Sequence, residues 1–336
     1  MDKQNKVYNA KELFEKNNKE AKNLSSLNVN AEVDFHIHST NSDGIFNISE
    51  IAEMAISSNT SHIIITDHNT ILNGYKELLE IKNNIPKDKL TINIGVEVAC
   101  KFYDTKYNKN IPIEVLCYNV NPYKMQEFLN KYNFSHKENQ EDNLKFLLSV
   151  CDEEGLIYSK NIKVKPGFFA TETLCRDLIT YKENKPYFDK HNPTVYKSPK
   201  LFFKKFCANP NSKFYFDSTK ALPTINEVCD LVHGIGGISI LAHPCIYIYK
   251  TEDEIIEFLE KVKHTVCNLT GIEVYHANHT MEQRRFLLDF AKDNNLLYSG
   301  GSDFHTGPYS IVGFGRLYMP LGLKEKDFPW MKNFKY

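Results

Sequence analysis

Short apolar runs that stop at a histidine or an acid recur along this 336-residue chain. The first run covers residues 32–35 and leads into His36 and His38. The other five are residues 63–66 before Asp67 and His68, 92–96 before Glu97, 238–242 before His243, 271–275 before His276, and 296–302 before Asp303 and His305. Parallel strands gather their C-terminal ends on one side of a fold. The repeated pattern therefore predicts one shared site on that side.

Helical patterns alternate with these runs, which is typical of an α/β fold with a parallel sheet. One predicted helix lies within residues 7–22, a second begins near Asn47 or Ser49, and others cover residues 70–84, 224–234, 251–264 and 280–294. Residues 90–99 and 111–120 are predicted as strands, with a polar loop at residues 101–110 between them. The alternation stops between residues 135 and 222, where aromatic residues, lysines and prolines crowd together. We therefore predict four parts: a polar, partly helical extension (1–31), a metal-binding domain in two segments (32–134 and 223–316), an inserted cap subdomain (135–222) and a tail (317–336).

The composition is that of an ordinary globular protein, with 42% hydrophobic and 25% charged residues. A formal net charge of -1 gives no overall field for long nucleic acids or anionic membranes. None of the apolar runs approaches the roughly 18–20 residues of a membrane span, and the polar N-terminus lacks a signal-peptide core. The eight cysteines form no C-x-x-C pair. We expect a cytoplasmic protein with reduced thiols.

His36 and His38 sit two residues apart at the end of a predicted strand. Successive side chains of a strand alternate between faces, so the two imidazoles point the same way. The Ser-Asp-Gly turn that follows can bring Asp43 back toward them. Taken alone, the motif is also compatible with two surface or hydrogen-bonded histidines, and the recurrence along the chain favours a metal site.

Eight side chains with nitrogen or carboxylate oxygen donors are the candidate ligands: His36, His38, Asp43, His68, Glu97, His243, Asp303 and His305. One zinc ion needs only three or four ligands, so eight predict two or three divalent ions with a carboxylate such as Glu97 bridging them. Mixed histidine and carboxylate ligation suits Mn, Zn or Fe, and multinuclear sites of this kind serve hydrolysis. Asp67 should point away from the ions and orient a ligand from behind.

This set of motifs, in this order, resembles the polymerase and histidinol phosphatase (PHP) superfamily over about residues 32–315. The motifs are His36-x-His38, Asp43, Thr66-Asp67-His68, Gly95-x-Glu97, Ala242-His243-Pro244 and Ser302-Asp303-x-His305. The resemblance implies a distorted (β/α)7 TIM-like barrel, a centre of two or three metal ions and phosphoester hydrolysis. It also groups the ligands: His36, His38, Glu97 and Asp303 for one ion, Asp43, His68 and His305 for a second, Glu97 and His243 for a third.

One position departs from the family pattern, because Glu114 stands where many relatives carry a histidine. A glutamate can still be a ligand there, or the third ion can be lost. Within the superfamily, the chain is most similar to stand-alone phosphoesterases acting on nucleotides and short oligonucleotides. That branch implies contacts to substrate phosphate from His276 and His279, and an arginine of the insertion, here Arg176, is a further candidate.

The sequence therefore predicts a metal-dependent phosphohydrolase in which a metal-bound hydroxide cleaves phosphate esters of small molecules such as nucleotides. Long nucleic acids are not expected as substrates. The alternatives are a 5'-3' exonuclease-like phosphodiesterase on short oligonucleotides and a histidinol-phosphate-type phosphatase. A metallo-amidohydrolase and a non-catalytic module are further classes, and the intact set of ligand motifs disfavours the module.

Overall fold

A computed structural model describes residues 31–132, 136–164, 169–209, 211–217, 219–305 and 323–336. The helix predicted within residues 7–22 lies outside these ranges. The chain divides into two compact units. The first combines Met1–Tyr132 with Leu222–Tyr336, and the second is Asn133–Ala221. The assignment of the first unit to metal binding and of the second to a cap stays a prediction.

Eight strands are described, all of them in the first unit. They are β1 Val33–Ile37, β2 His62–Ile65, β3 Thr91–Ile94, β4 Val96–Asp104, β5 Lys109–Tyr118, β6 Ile238–Leu241, β7 Gly271–His276 and β8 Leu297–Gly301. Strands β1, β2 and β3 form a parallel sheet in that order. The other five form a second sheet in the order β4-β5-β6-β7-β8.

The predicted α/β class is confirmed, whereas the described strands form two sheets and not one closed barrel. Strand β5 pairs antiparallel with both β4 and β6, which interrupts the parallel order. Two short parallel bridges link the sheets, Ile37 with Phe304 and His68 with Glu97. The backbone N–H of His38 also donates to the carbonyl of Phe304 at 2.9 Å. The C-terminal ends of β1, β2 and β8 are therefore neighbours.

The segment predicted as one strand from Leu90 to Ala99 is two strands that belong to different sheets. Gly95 separates them, and a Cβ built on Gly95 would overlap the carbonyl oxygen of Cys117. Residues 101–110, predicted as a loop, mostly belong to the β4–β5 hairpin, whose pairing runs from Val96 with Cys117 to Asp104 with Lys109. Glu97 therefore lies on β4 and Glu114 on β5, the two paired strands of the hairpin.

Ten α-helices are described along the chain. They are α1 Ile48–Ser57, α2 Leu72–Ile81, α3 Pro122–Leu129, α4 His136–Glu154, α5 Ala170–Leu178, α6 Lys185–His191, α7 Pro199–Phe202, α8 Ile225–Gly234, α9 Glu252–Thr265 and α10 Met281–Asp293. Capping boxes at Asn47, Thr224, Thr251 and Thr280 satisfy backbone N–H groups at the starts of α1, α8, α9 and α10. These starts agree with the predicted ones within two residues.

The core of the first unit includes residues of the C-terminal segment that was predicted as a tail. Leu323, Phe328 and Met331 are buried together with Phe35 and Tyr118. The Phe35 ring packs edge-on against Phe328, with ring centroids 5.1 Å apart, and Trp330 stacks on Tyr118 at 5.7 Å. The far side of β1 is thus held in place by the C-terminal segment, while His36 faces away from it.

The second unit has its own core, made by helices α4 to α7 and the residues after them. Phe188, Phe202, Phe206 and Phe214 pack mostly edge-on with centroids 5.4–6.4 Å apart, around Leu174. All eight cysteines carry free thiols, and six of them are buried. Within the described ranges, the helices include none that is long and apolar enough to cross a membrane.

Candidate metal centre

Four donor atoms converge where β1 and β8 end and β4 begins. His36 Nε2 lies 3.2 Å from Glu97 Oε2 and 3.4 Å from Asp303 Oδ1. His38 Nε2 lies 3.3 Å and 3.2 Å from the same two oxygens. The four residues form one cluster of mutually close donors, and they are the set that the resemblance assigns to a first ion.

A second cluster extends from His38 toward solvent and contains Asp43, His68 and His305. His305 Nε2 lies 3.2 Å from Asp43 Oδ1, and His68 Nε2 lies 3.8 Å from Asp43 Oδ2. The imidazoles of His38 and His305 stack with centroids 4.0 Å apart. This cluster contains the three residues assigned to a second ion, and His38 joins both clusters.

The third group surrounds both carboxylate oxygens of Glu97. His243 Nε2 lies 2.9 Å from Glu97 Oε1 and 3.3 Å from Glu114 Oε2. His68 Nδ1 lies 3.1 Å from Glu97 Oε2 and 3.8 Å from Glu114 Oε1. Glu97 therefore contacts histidines of all three groups, and Glu114 reaches the position at which the resemblance expects a histidine.

Asp67 holds the turn that carries Asp43. Its Oδ1 accepts the backbone N–H of Ser39 at 2.7 Å and the Ser42 hydroxyl at 2.6 Å, and its Oδ2 accepts the Ser39 hydroxyl at 2.7 Å. A Cβ on Gly44 would overlap the carbonyl oxygen of His38, so only glycine lets the turn fold back this closely. The predicted orienting role of Asp67 has a specific geometry here, because the carboxylate fixes the loop that carries a ligand.

Backbone conformation at two candidate ligands is unusual. His243 has φ of 25° and Asp303 has φ of 53°, a region that side chains other than glycine, asparagine and aspartate seldom occupy. Such conformations cluster at functional sites, where surrounding contacts hold them in place. Each of the two residues lies two positions after the end of its strand, β6 or β8, and its side chain turns into the cluster.

His276 is fully buried, and both of its ring nitrogens are engaged. Its Nδ1 accepts the backbone N–H of Asn278 at 3.1 Å, which places the proton of the neutral ring on Nε2. Nε2 lies 3.3 Å from Asp303 Oδ2. Contact of His276 with a substrate phosphate stays a prediction, and it would require sharing the bond to Asp303.

His279 lies next to His276, with centroids 5.2 Å apart. Its Nδ1 donates to the carbonyl of Val274 at 2.9 Å, and its Nε2 is buried without a hydrogen-bond partner. Burial lowers the pKa of His279 to about 3, so the ring is neutral. Its predicted contact with phosphate also stays a prediction.

Arg176 belongs to α5 in the second unit and pairs with Glu172 one turn earlier, with Nε to Oε1 at 2.9 Å. Its side chain is 59% exposed. Its predicted role in phosphate binding stays a prediction, and binding a phosphate through this face would compete with Glu172.

Glu273 and Asp34 are two buried acids of the site that sequence reasoning did not single out. The Glu273 carboxylate accepts from His36 Nδ1 at 3.0 Å and from the backbone N–H of His243 at 2.8 Å. Asp34 Oδ1 accepts the backbone N–H groups of Ser302 at 2.9 Å and His36 at 3.3 Å. The signal that could have found them is an acid at an inward position of an otherwise apolar strand.

The charged groups of the site strongly shift one another's pKa values. Burial lowers the pKa of His38, but the nearby Asp303 and Glu97 carboxylates outweigh it and raise the pKa to about 9. Burial would raise the pKa of Glu97, yet His36 and His243 hold it well below its ordinary value. For Glu114, burial and the nearby Glu97 carboxylate raise the pKa to about 7. Such concentrated opposite charge is characteristic of functional sites.

The donor set fits a bound divalent ion. His36 Nε2, His38 Nε2 and Glu97 Oε2 are buried and lack hydrogen-bond partners, although buried polar atoms normally have one. Ligands bound tetrahedrally at about 2.1 Å from one ion stand about 3.4 Å apart. The four measured separations in the first cluster are 3.2–3.4 Å, which match that spacing.

The centre has a closed side and an open side. The side chains of His36, His38, Glu97 and His243 are 0–3% exposed. Those of His68, Glu114, Asp303 and His305 are 22–30% exposed, and that of Asp43 is 58% exposed. A ligand from solvent therefore meets these five side chains first.

Comparison with known proteins gives one family. Residues 34–173 match the model of the PHP domain. The chain is 25% identical to phosphoribosyl 1,2-cyclic phosphate 1,2-diphosphodiesterase of Eggerthella lenta, over 84% of this chain and 97% of that protein. It is 24% identical to the 5'-3' exoribonuclease Rnm of Escherichia coli, over 90% and 94% of the two chains.

Two solved structures share the fold. An amidohydrolase from Chromobacterium violaceum superimposes with a TM-score of 0.55 at 19% identity, over 84% of this chain and 90% of that one. A protein from Bifidobacterium adolescentis, assigned as a metal-dependent phosphoesterase, gives 0.51 at 22% identity, over 82% and 89%. At these identities the likeness concerns the fold alone.

Proposed function

Residues 34–173 match the PHP domain, and from this match we propose that the chain is a PHP-type metal-dependent phosphoesterase that hydrolyses phosphate monoesters of small molecules such as nucleotides. The observation that carries the proposal is the first cluster, in which four donors stand at metal-ligand spacing and three of them are buried and unpartnered. The names of the two relatives describe enzymes that cleave phosphodiester bonds, which supports phosphoester chemistry.

His36, His38, Glu97 and Asp303 would hold one ion, and Asp43, His68 and His305 a second. Glu97, His243 and Glu114 would hold a third, with Mn, Zn or Fe as the metal. The donors are imidazole nitrogens and carboxylate oxygens, which suit these metals. Bound ions would lower the pKa of a water molecule and neutralise charge on phosphoryl oxygens.

The protein side chains fix where a substrate can approach. The closed side excludes water from the deep ligands, and the open side admits a phosphate between His68, Glu114, Asp303 and His305. Asp67 would keep Asp43 in place as the substrate binds, because its three hydrogen bonds hold the turn from Ser39 to Ser42.

A panel of substrates tests the proposal. Protein reconstituted with Mn²⁺ is assayed on nucleoside monophosphates, cyclic phosphates, 5'-phosphorylated dinucleotides and simple amides. The matched inactive control is Asp303→Ala, and a second control is wild-type protein with excess chelator. Rapid release of phosphate from monoesters, lost in both controls, supports the proposal. Turnover of amides without turnover of phosphoesters would contradict it.

The second candidate is a phosphodiesterase on short oligonucleotides, which the two relatives favour by name. The same panel distinguishes the candidates. Release of mononucleotides from a dinucleotide at a higher kcat/KM than phosphate release from a mononucleotide would favour the diesterase.

A further inference from the structure

Glu273 lies in the middle of β7 with no exposed surface, and it faces the metal centre. Its two carboxylate oxygens have separate partners. Oε1 lies 3.0 Å from His36 Nδ1, and Oε2 accepts the backbone N–H of His243 at 2.8 Å. The carboxylate therefore links two candidate ligands from behind, on strands β1 and β6.

The His36 contact determines the state of that imidazole. A carboxylate accepts hydrogen bonds and cannot donate one, so His36 carries a proton on Nδ1. In the neutral ring the lone pair is then on Nε2, the atom that faces Glu97 Oε2 at 3.2 Å and Asp303 Oδ1 at 3.4 Å. Metal-binding histidines commonly have their second nitrogen held in this way.

The His243 contact restrains the backbone. His243 has φ of 25°, and its N–H would otherwise be a buried donor at the end of β6. Holding that N–H fixes the direction in which the ring leaves the strand. The ring then places Nε2 at 2.9 Å from Glu97 Oε1.

Glu273 is also close to His276, and together with His36 these residues form a conceivable ligand set of their own. The hydrogen bonds argue against that role. His276 Nδ1 accepts from Asn278, and Nε2 faces Asp303. Both oxygens of Glu273 already accept from other donors.

We propose that Glu273 is a positioning residue that fixes the His36 tautomer and the His243 backbone, so that both histidines present a nitrogen to the ions. The inference rests on the proposed function only in taking this centre to bind metal. It assigns to β7 a role in metal affinity, separate from any contact with substrate.

Glu273→Gln is the sharpest test, because it keeps the size of the side chain and changes one oxygen into an NH₂ group. The amide oxygen can satisfy the His243 N–H, and the NH₂ then faces His36 Nδ1. This arrangement moves the His36 proton to Nε2 and opposes metal binding there. We expect one metal equivalent to bind about 10–100-fold more weakly, measured by competition with a chelator, while the other equivalents are unchanged.

The matched control is Glu227→Gln in α8, which also removes a carboxylate that accepts a backbone N–H, that of Thr224. It lies in a capping box away from the metal ligands. Its metal affinities should equal those of the wild type. Unchanged affinities in Glu273→Gln would overturn the inference, whatever the activity.

A measurement on the wild-type protein decides the matter if Glu273→Gln does not fold. In protein loaded with Zn²⁺ and labelled with ¹⁵N-histidine, the ring proton of His36 should be on Nδ1. A proton on Nε2 would overturn the inference. If the wild type binds metal but cleaves none of the phosphoesters, the proposed function fails, while the affinity ratio and the tautomer still test the role of Glu273.

Discussion

Individual histidines of the centre differ in which ring nitrogen their neighbours engage. His276 accepts an N–H at Nδ1, whereas His279 donates its Nδ1 proton to a carbonyl. His38 has both nitrogens buried without a hydrogen-bond partner. Among these three histidines, His38 is therefore the one to which a bound metal ion would most directly supply a missing partner.

Replacing His38 should have a large effect, because it is buried and belongs to both the first and the second cluster. We expect His38→Ala to lose at least one metal equivalent and to lower phosphoester hydrolysis by several orders of magnitude. Elemental analysis and steady-state kinetics measure the two effects. The matched control is His264→Ala, which removes an imidazole that is 75% exposed on α9. Normal turnover and metal content in His38→Ala would remove it from the site.

The sequence predicted side chains at strand ends better than those inside strands. His36, His38, His68 and Asp303 follow apolar runs, and a polar residue that ends such a run is easy to notice. Glu273 stands between Ile272 and Val274 within β7, where an acid can equally indicate an exposed strand face. Its burial depends on which way β7 faces, and only the packed sheet determines that.

At the level of elements, β8 approaches β1 so closely that no side chain fits at Gly301. A Cβ there would overlap the backbone nitrogen and Cβ of His36. We expect Gly301→Ala to destabilise the fold by about 1–3 kcal/mol and to weaken metal binding by moving His36. Urea unfolding and metal titration measure these effects.

Gly234→Ala provides the control for that substitution. Gly234 ends α8, and a Cβ there meets nothing within 4 Å. This change should leave metal binding intact and leave stability unchanged or raise it by up to about 1 kcal/mol. Equal effects of the two substitutions would show that the β8–β1 contact is not the cause.

Asp104 ends β4 and anchors the β4–β5 hairpin. It is fully buried and accepts hydrogen bonds from the Tyr249 hydroxyl at 2.6 Å, Lys261 Nζ at 3.1 Å and the Lys106 backbone N–H at 2.8 Å. Burial alone would raise the pKa of Asp104, but these hydrogen bonds outweigh it and lower the pKa. Its stabilisation is therefore complete above the unfolded-state pKa of about 3.9 and is lost as the pH falls further.

Asp104→Asn should accordingly lower the free energy of unfolding by about 1.5–3 kcal/mol at pH 7. The difference from the wild type should stay constant down to about pH 4 and shrink below it. Urea unfolding across this range measures it. A difference that grows as the pH falls would contradict the assignment of a lowered pKa.

Element types were predictable where local signals agree, as at the four capping boxes. The division at Gly95 was not, because apolar residues alternate without a break from Ile92 to Val98, as they would in a single strand. The break arises from the approach of Cys117 in β5, a residue distant in sequence. The antiparallel direction of β5 likewise follows from a short turn at residues 105–108, which strand patterns alone do not reveal.

For the whole molecule, removal of metal should reduce stability, because the ions would bind only the folded arrangement. One ion present at a hundred times its Kd stabilises the folded state by about 2.7 kcal/mol. We expect a chelator to lower Tm by several degrees and added Mn²⁺ or Zn²⁺ to restore it. Calorimetry measures the change, and His38→Ala should show a smaller response. An identical Tm with and without chelator would argue against metal binding.

Substrate size is a further property of the whole chain. We predict that the second unit, Asn133–Ala221, acts as a cap that limits access, and the net charge of -1 gives no general attraction for polyanions. Mononucleotides should therefore be hydrolysed with a higher kcat/KM than long single-stranded RNA. Competition assays at matched phosphate concentration measure the ratio. Comparable values for the two substrates would contradict the prediction.

The pairing of β1 with the segment after β8 has a consequence for how the protein is made. Asp34, His36 and His38 are synthesised more than 260 residues before their direct partners Ser302, Asp303 and Phe304. The nascent chain thus carries an incomplete set of candidate ligands until residue 303 has been made. We therefore expect the metal centre to form only after β8 and the residues that follow it have docked on β1.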